Sequence, residues 1–139
     1  LSKALGLEDK IFFKGALSHE EVAEEMSKAR VFVQHSVRTP ENQDMEGKPV
    51  AIMEAMSGGL AVVATRHGGI AELITNEVDG LLIDEFDVEA MAKAMTRAAM
   101  DDSLVSAIGK AASERVLNDP LIRDHVGILE KIIDELIAQ

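Results

Sequence analysis

The stretch from Met45 to Thr65 constrains the fold more than any other part of the sequence, because a helix pattern leads directly into a strand pattern. Pro49 is typical of a helix start, where its missing N–H is not needed, and Gly58–Gly59 is typical of a helix end. The segment from Leu60 to Thr65 is apolar and too short for a second helix. The sequence therefore predicts a helix from about Pro49 to Ser57, followed by a buried strand.

Two carboxylates bracket this helix, Glu46 before it and Glu54 inside it. Eight helical steps advance about 12 Å and place the two groups on related faces. Gly47 leaves the helix mouth uncrowded, so backbone N–H groups there can face an anion or a sugar hydroxyl. A carboxylate in an apolar run needs a donor or water, and a ribose diol would suit Glu54. On spacing alone, a solvated helix edge remains an alternative for Glu54, and an exposed loop acid for Glu46.

The rest of the chain alternates short apolar runs with amphipathic stretches. Ser18 and Glu21 have the spacing of a capping box, which predicts a helix through Ala29. From Asp87 onward the pattern is helical, with a last helix from about Pro120. Two further helical elements are predicted, a helix tail ending at Gly6 and a helix start after Gly69. The predicted strands are Ile11–Phe13, Val31–Val33 and Leu81–Ile83. A loop is predicted from Val37 to Met45, and a turn from Asn76 to Gly80. This alternation predicts a doubly wound α/β layer with parallel strands.

Polar and glycine residues follow two of the predicted strands. His35 and Ser36 come after the Val31 strand, and Gly68 and Gly69 come after the Leu60–Thr65 strand. In open α/β sheets, ligands bind at the carboxyl ends of the strands. These residues are therefore candidates for ligand contact. For His35 the alternative is a structural histidine tied to a neighbouring loop carbonyl.

The overall composition excludes several classes of function. The chain has 14 basic and 25 acidic residues and a formal net charge of −11, which opposes binding to nucleic acid and to anionic lipid. The longest apolar runs are far shorter than the roughly 20 residues of a membrane-spanning helix. The chain has no cysteine, which suits a reducing compartment, and its four histidines lack paired metal-ligand spacing. We expect a cytoplasmic chain without a transmembrane segment, a metal site or a nucleic-acid partner.

Three motifs occur together with a specific spacing: Glu46-x7-Glu54 ahead of a glycine pair, Gly68–Gly69 ahead of Glu72, and the run from Asp79 to Ile83. Together they resemble the C-terminal half-domain of the retaining glycosyltransferases of family 4, which have the GT-B architecture. The similarity extends from Leu1 to about Glu114.

This resemblance implies a Rossmann-like, doubly wound parallel sheet, with strand order 3-2-1-4-5-6 in the intact C-terminal half of GT-B. On that pattern the chain is truncated at the N-terminus and lacks the first two strands, so that the Ile11 segment corresponds to the third strand and Val31 to the fourth. We therefore expect residues 1–139 to be a partial nucleotide-sugar-binding domain, with C-terminal helices from about residue 87 onward. The sheet should contain a gap, pair these two strands directly, or be completed by another chain.

The resemblance also implies the activity and the site. The intact protein would transfer a sugar from a nucleoside-diphosphate sugar to an acceptor hydroxyl with retention, and would need no metal or cofactor. Glu46 would be the catalytic-site residue that accepts hydrogen bonds from donor-sugar hydroxyls. Lys48 stands where the family often has an aromatic or aliphatic residue, so an exposed lysine is the alternative there. The candidate donor-binding residues are Gly47, Lys48, Val50, Glu54, His35, Ser36, Gly68 and Gly69.

The acceptor, a sugar or a glycolipid, would bind through an N-terminal domain outside this chain, so we expect the chain alone to be inactive. Peripheral membrane association of the intact protein is compatible with this interpretation, and polysaccharide biosynthesis is the process it implies. Two alternatives remain open at this point. One is a non-catalytic α/β interaction module, and the other is part of a different GT-B enzyme such as a sugar-nucleotide epimerase.

Overall fold

A parallel sheet organises the fold. The structure is a computed structural model that describes residues 1–39 and 49–119, and within these residues the sheet has three strands. They are β1 (Val31–Gln34), β2 (Ala61–Thr65) and β3 (Leu81–Ile83), paired in the order β1-β2-β3. The register sets Val31 opposite Ala61 and Val63 opposite Leu81. β2 is therefore the central strand, and all of its residues are buried.

Helices cover both faces of the sheet. Alternate residues of β2 face opposite sides, so each set packs against a different helix layer. Val62 and Ala64 pack with α2 (Val50–Ser57) and α3 (Ile70–Leu73), whereas Ala61 and Val63 pack with α4 (Val88–Met100). The long helix α5 (Asp102–Asn118) contributes to both clusters. Helix α1 (His19–Lys28) adds the half-buried side chain of Met26 to the first cluster. Strands buried on both faces are typical of doubly wound α/β folds.

The helix α5 approaches β2 so closely that one position has no room for a side chain. Gly109 is buried in α5 beside Gly59, the residue that turns the chain from α2 toward β2. A Cβ atom on Gly109 would overlap the carbonyl oxygen of Gly59 and lie 3.0 Å from its carbonyl carbon. Both of these atoms belong to the backbone, so they cannot rotate away.

The same helix is tied to the turn before β3 by a polar cluster. Asp79 is buried, and its carboxylate accepts hydrogen bonds from the Thr75 N–H at 2.6 Å and from Nη1 of Arg115 at 2.9 Å. Arg115 also donates to the hydroxyl of Thr75 at 2.7 Å and to the carbonyl oxygen of Glu72 at 2.9 Å. The guanidinium and the carboxylate therefore form hydrogen bonds to each other, and each also bonds a backbone group.

Most of the predicted elements are confirmed. The Ser18 capping box is formed with Glu21, and a 3₁₀ helix (Lys3–Leu5) ends at Gly6 with φ of 65°. Helix α2 begins at Val50 with Pro49 as its N-cap, one residue later than the expected start. The predicted strands after Arg30, Gly59 and Gly80 and the helices after Gly69 and Asp87 are also formed.

The strand predicted at Ile11–Phe13 is wrong, so the described sheet has three strands where four were predicted. Phe12 and Phe13 are 73% and 85% exposed. A strand is stabilised by backbone hydrogen bonds to a neighbour, and none of the described strands pairs with this segment. Of the three outcomes considered for the incomplete sheet, direct pairing of this segment with the Val31 strand is therefore not formed in the described residues. The last predicted helix, from Pro120, and most of the predicted loop from Val37 to Met45 lie outside the described residues.

Candidate functional site at the carboxyl edge of the sheet

The carboxyl ends of the three strands lie along one edge of the sheet, because the strands are parallel and in register. Residues 35–39 follow β1, residues 66–69 follow β2, and residues 84–87 follow β3. Helix α2 connects β1 to β2 and must run back across the sheet, so its N-terminus faces this same edge. This edge and helix α2 together contain the described candidate residues that were predicted from the sequence.

The buried hydroxyl of Thr65 fixes the loop after β1. Its Oγ1 accepts a hydrogen bond from the Ser36 N–H at 2.8 Å and donates one to the Ser36 carbonyl oxygen at 2.5 Å. Thr65 is only 1% exposed, so both bonds form away from water. The backbone at Ser36 is therefore attached to the end of the central strand. The Ser36 hydroxyl accepts from the side-chain amide of Gln34 at 3.3 Å.

A second connection joins all three strand ends through Glu85. One carboxylate oxygen lies 2.9 Å from Nδ1 of His67, and the other accepts from the backbone N–H of Arg38 at 2.8 Å. The His67 side chain is 3% exposed and that of Glu85 is 25% exposed. The Arg38 N–H and, next, the His67 imidazole lower the pKa of Glu85 from its ordinary value. Glu85 is therefore ionised at neutral pH and bridges the loop after β1 to the turn after β2.

The turn after β2 needs glycine at one position. Gly68 has φ of 49°, in the left-handed region that side chains disfavour, and Gly69 is the N-cap of α3 with φ of −71°. Both glycines are half-buried. Arg66, the exposed residue at the start of this turn, pairs with Asp84 at 3.2 Å. Gly68 therefore allows the left-handed turn after β2, and Arg66 is held against the turn after β3.

A groove of about 330 Å³ runs between α1 and α2, and Glu54 lies on its wall. The Glu54 side chain is 35% exposed, and one of its carboxylate oxygens lies 3.6 Å from Nε2 of His19. The capping box at Ser18 sets the start of α1 and therefore the position of His19. The remaining wall is mainly apolar and includes Val22, Ala23, Met26 and Leu60. The groove thus offers one acidic acceptor within an apolar surface.

A protein-family model described as "Glycosyl transferases group 1" matches residues 1–115. The chain belongs to this family. It is 39% identical over 110 residues to the amylovoran biosynthesis glycosyltransferase AmsK of Erwinia amylovora, covering 79% of this chain and 27% of AmsK. It is also 39% identical over 114 residues to the putative colanic acid biosynthesis glycosyltransferase WcaL of Escherichia coli K12, covering 81% of this chain and 28% of WcaL. The chain therefore spans less than a third of the length of these two relatives.

Solved structures show the same fold as this group 1 glycosyltransferase chain. A sucrose-phosphate synthase from Thermosynechococcus elongatus is 28% identical with a TM-score of 0.77, over 97% of this chain and 33% of that protein. HepE of Anabaena, solved in complex with UDP-glucose, is 23% identical with a TM-score of 0.77, over 99% of this chain and 35% of HepE. The fold matches the C-terminal domains of GT-B glycosyltransferases, which confirms the predicted α/β class.

The structure brings some of the predicted site residues of this group 1 glycosyltransferase chain together. His35, Ser36, Gly68 and Gly69 lie on one sheet edge, whereas Glu54 lies in the α1–α2 groove. His35 is exposed, and Val50, the first residue of α2, is 63% exposed. The other three candidates, Glu46, Gly47 and Lys48, lie outside the described residues.

Sequence reasoning did not identify Glu85 or assign a role to the hydroxyl of Thr65. The available signal was their position, since Thr65 ends β2 and Glu85 lies two residues after β3. Within residues 1–39 and 49–119, no cluster of three or more histidine, aspartate or glutamate side chains could hold a metal ion. In the same residues, no helix has both the length and the apolar character of a membrane span.

The lowered pKa of Glu85 predicts a pH-dependent contribution to the stability of this chain. A carboxyl group whose folded-state pKa is depressed stabilises the fold above its unfolded pKa, and this contribution is lost as the pH falls through the folded-state value. We expect the stability difference between the native chain and Glu85→Gln to be largest near pH 7 and to shrink below about pH 4.5. Urea unfolding at pH 7, 4.5 and 3 measures this difference, and a pH-independent difference would contradict it.

Proposed function

We propose that this chain is the donor-binding part of a glycosyltransferase. The intact enzyme would transfer a sugar from a nucleoside-diphosphate sugar to an acceptor hydroxyl, with retention at the anomeric carbon. The observation that carries the proposal is the Glu54 carboxylate, set in an apolar groove whose helix α2 begins at the carboxyl edge of the sheet. Membership of the group 1 family and the likeness to HepE, solved with UDP-glucose, support it.

In this proposal the groove takes the nucleoside and the sheet edge takes the rest of the donor. An ionised carboxylate can accept hydrogen bonds from two adjacent hydroxyls, so Glu54 would hold the ribose diol while the apolar wall covers the base. Ser36, His35, Gly68 and Gly69 would lie along the path of the diphosphate or sugar. Val50 would line the region between the phosphates and the ribose.

The other proposed donor-binding and catalytic-site residues lie outside the described ranges. Glu46 would be the catalytic-site acid that holds the donor sugar, and the N–H groups of Gly47 and Lys48 would face the sugar or phosphate. Negative charge develops on the leaving diphosphate, and donors aimed at that position would stabilise the transition state. No metal ion and no cofactor is part of this proposal.

The proposed partners of the intact enzyme are a nucleotide-sugar donor and a sugar or glycolipid acceptor. The chain spans about a third or less of its relatives, so the acceptor site is assigned to a region outside it and the chain alone is proposed to be inactive. Its net charge of −11 would also weaken the binding of a diphosphate. The proposed process is polysaccharide biosynthesis on the cytoplasmic side of the membrane, with peripheral association of the intact protein.

Replacing Glu54 with glutamine tests the nucleoside groove. The substitution keeps the side-chain volume and removes the charge, and we expect the affinity for UDP to fall about tenfold, since hydrogen bonds to a charged group contribute about 1.5–3 kcal/mol. NMR titration of the 139-residue chain with UDP, GDP and UDP-glucose measures the affinity. Expected shifts map to residues around Glu54 and to Arg66–Gly69.

Two controls accompany this titration. Glu114→Gln removes an exposed acid of α5, 3.8 Å from Lys110, and should leave the affinity for UDP unchanged. Removal of the 2′-hydroxyl from the nucleotide should weaken binding to the native chain more than binding to Glu54→Gln, because only in the native chain does this hydroxyl donate to a charged carboxylate. The absence of shifts at millimolar UDP and GDP would reject the donor site and favour a docking module.

A further inference from the structure

We propose that Glu85 is a positioning residue for donor binding, because it holds the loop after β1 and the turn after β2 in one arrangement. This inference rests on the proposed function, since it concerns a ligand bound at the sheet edge. Glu85 itself lies in the turn after β3, so one side chain connects the ends of all three described strands.

The geometry assigns each carboxylate oxygen of Glu85 to a different element. Oε1 lies 2.9 Å from Nδ1 of His67 in the turn after β2, and Oε2 accepts from the Arg38 N–H at 2.8 Å in the loop after β1. Both distances are those of strong hydrogen bonds to a charged acceptor. The two oxygens therefore fix the separation between the loop and the turn.

Burial makes the His67 end of this bridge rigid. The His67 side chain is 3% exposed, and its backbone carbonyl accepts from the N–H of Ile70, the first residue of α3. A buried imidazole that loses its partner leaves a polar atom unsatisfied, and the surrounding turn must then rearrange. His67 directly precedes Gly68, so this rearrangement would move a proposed donor-binding residue.

The Arg38 end of the bridge supplements the attachment at Ser36. Thr65 holds the backbone of Ser36 through two hydrogen bonds, but the chain beyond it needs a second point of attachment to follow a fixed course. Glu85 supplies that point two residues later, at Arg38. Together the two attachments set the direction in which the loop leaves the sheet edge.

The negative charge of Glu85 indicates that this residue acts through His67 and Arg38 and does not contact the ligand. A carboxylate repels a diphosphate, so direct contact would oppose the binding proposed for this edge. Both oxygens of Glu85 are already engaged with His67 and Arg38. The presence of an acid here is explained by the two elements that it connects.

Three variants of the 139-residue chain test this role: Glu85→Ala, Glu85→Gln and the control Glu77→Gln. Glu85→Ala removes both bonds and is expected to lower the affinity for UDP about fivefold, the scale of coupling through positioning networks. Glu85→Gln keeps an acceptor for the Arg38 N–H and should retain most of the affinity. Glu77 also forms an ion pair, with Arg97 at 2.7 Å, but lies before β3 and away from the carboxyl edge, so Glu77→Gln should bind UDP like the native chain.

Amide hydrogen exchange without ligand provides the second measurement. Glu85→Ala should accelerate exchange at Arg38 and also at Ile70, whose N–H donates to the His67 carbonyl, whereas Glu77→Gln should change neither. Native affinity in Glu85→Ala, or faster exchange at Arg38 alone, would overturn the positioning role while leaving the donor site intact. A native chain that shows no shift with UDP would overturn the proposed function, and the positioning role with it.

Discussion

Replacing Gly109 with alanine is expected to lower the free energy of unfolding by about 3 kcal/mol, the upper range for overpacking a well-packed core. In an exposed helix interior the same change stabilises by about 1 kcal/mol, because alanine has the higher helix propensity. Here the added Cβ would overlap the Gly59 carbonyl oxygen, so α5 must move away from the start of β2. That movement separates α5 from the buried central strand.

Urea unfolding followed by circular dichroism measures this effect, since the chain has no tryptophan or tyrosine. Ser106→Ala is the matched control, because Ser106 is an exposed residue of the same helix. We expect that control to change the free energy of unfolding by less than about 0.5 kcal/mol. A Gly109→Ala chain as stable as the native one would show that α5 does not approach Gly59 as described.

The second large effect is expected for Asp79→Ala, which should lower the free energy of unfolding by about 3 kcal/mol, the lower range for breaking a buried ion pair. The substitution removes the partner of the Thr75 N–H and of the Arg115 guanidinium. Arg115 retains the Thr75 hydroxyl and the Glu72 carbonyl and is 37% exposed, so its charge remains partly hydrated. These retained contacts are the reason for expecting the lower range.

A double-mutant cycle with Arg115→Met separates the ion pair from the backbone bond. We expect the double variant to be less destabilised than the sum of the two single variants, because the pair is lost only once. Asp79→Asn keeps an acceptor for the Thr75 N–H and should fall between the native chain and Asp79→Ala. Strict additivity of Asp79→Ala and Arg115→Met would contradict a coupled pair.

Local signals were sufficient to predict most elements of the fold. The Ser18–Glu21 capping box, the Pro49 helix start and the Gly58–Gly59 helix end each act within a few residues, so they can be read from adjacent sequence. The prediction of a strand at Ile11–Phe13 was wrong, because strand formation depends on a neighbouring strand that the local pattern does not reveal. Gly109 was also not identified, since a glycine inside a helix pattern does not indicate what packs against it.

The site was predictable in outline only. Parallel topology places His35, Ser36, Gly68 and Gly69 on one edge, and that could be inferred from the order of strands. The Thr65–Ser36 and His67–Glu85 bonds join residues 29 and 18 positions apart, and no local pattern encodes them. His19, an exposed residue in the first turn of α1, lies 3.6 Å from the Glu54 carboxylate across the groove, and no local pattern encodes this contact either.

The loop after β1 is held through its main chain. Thr65 bonds the N–H and carbonyl of Ser36, and Glu85 bonds the N–H of Arg38, so these three contacts require nothing of the loop's own side chains. Residues in such a loop can be exchanged while the path of the backbone is retained. Loop sequences from other members of the family could therefore be grafted onto this scaffold without redesigning the core.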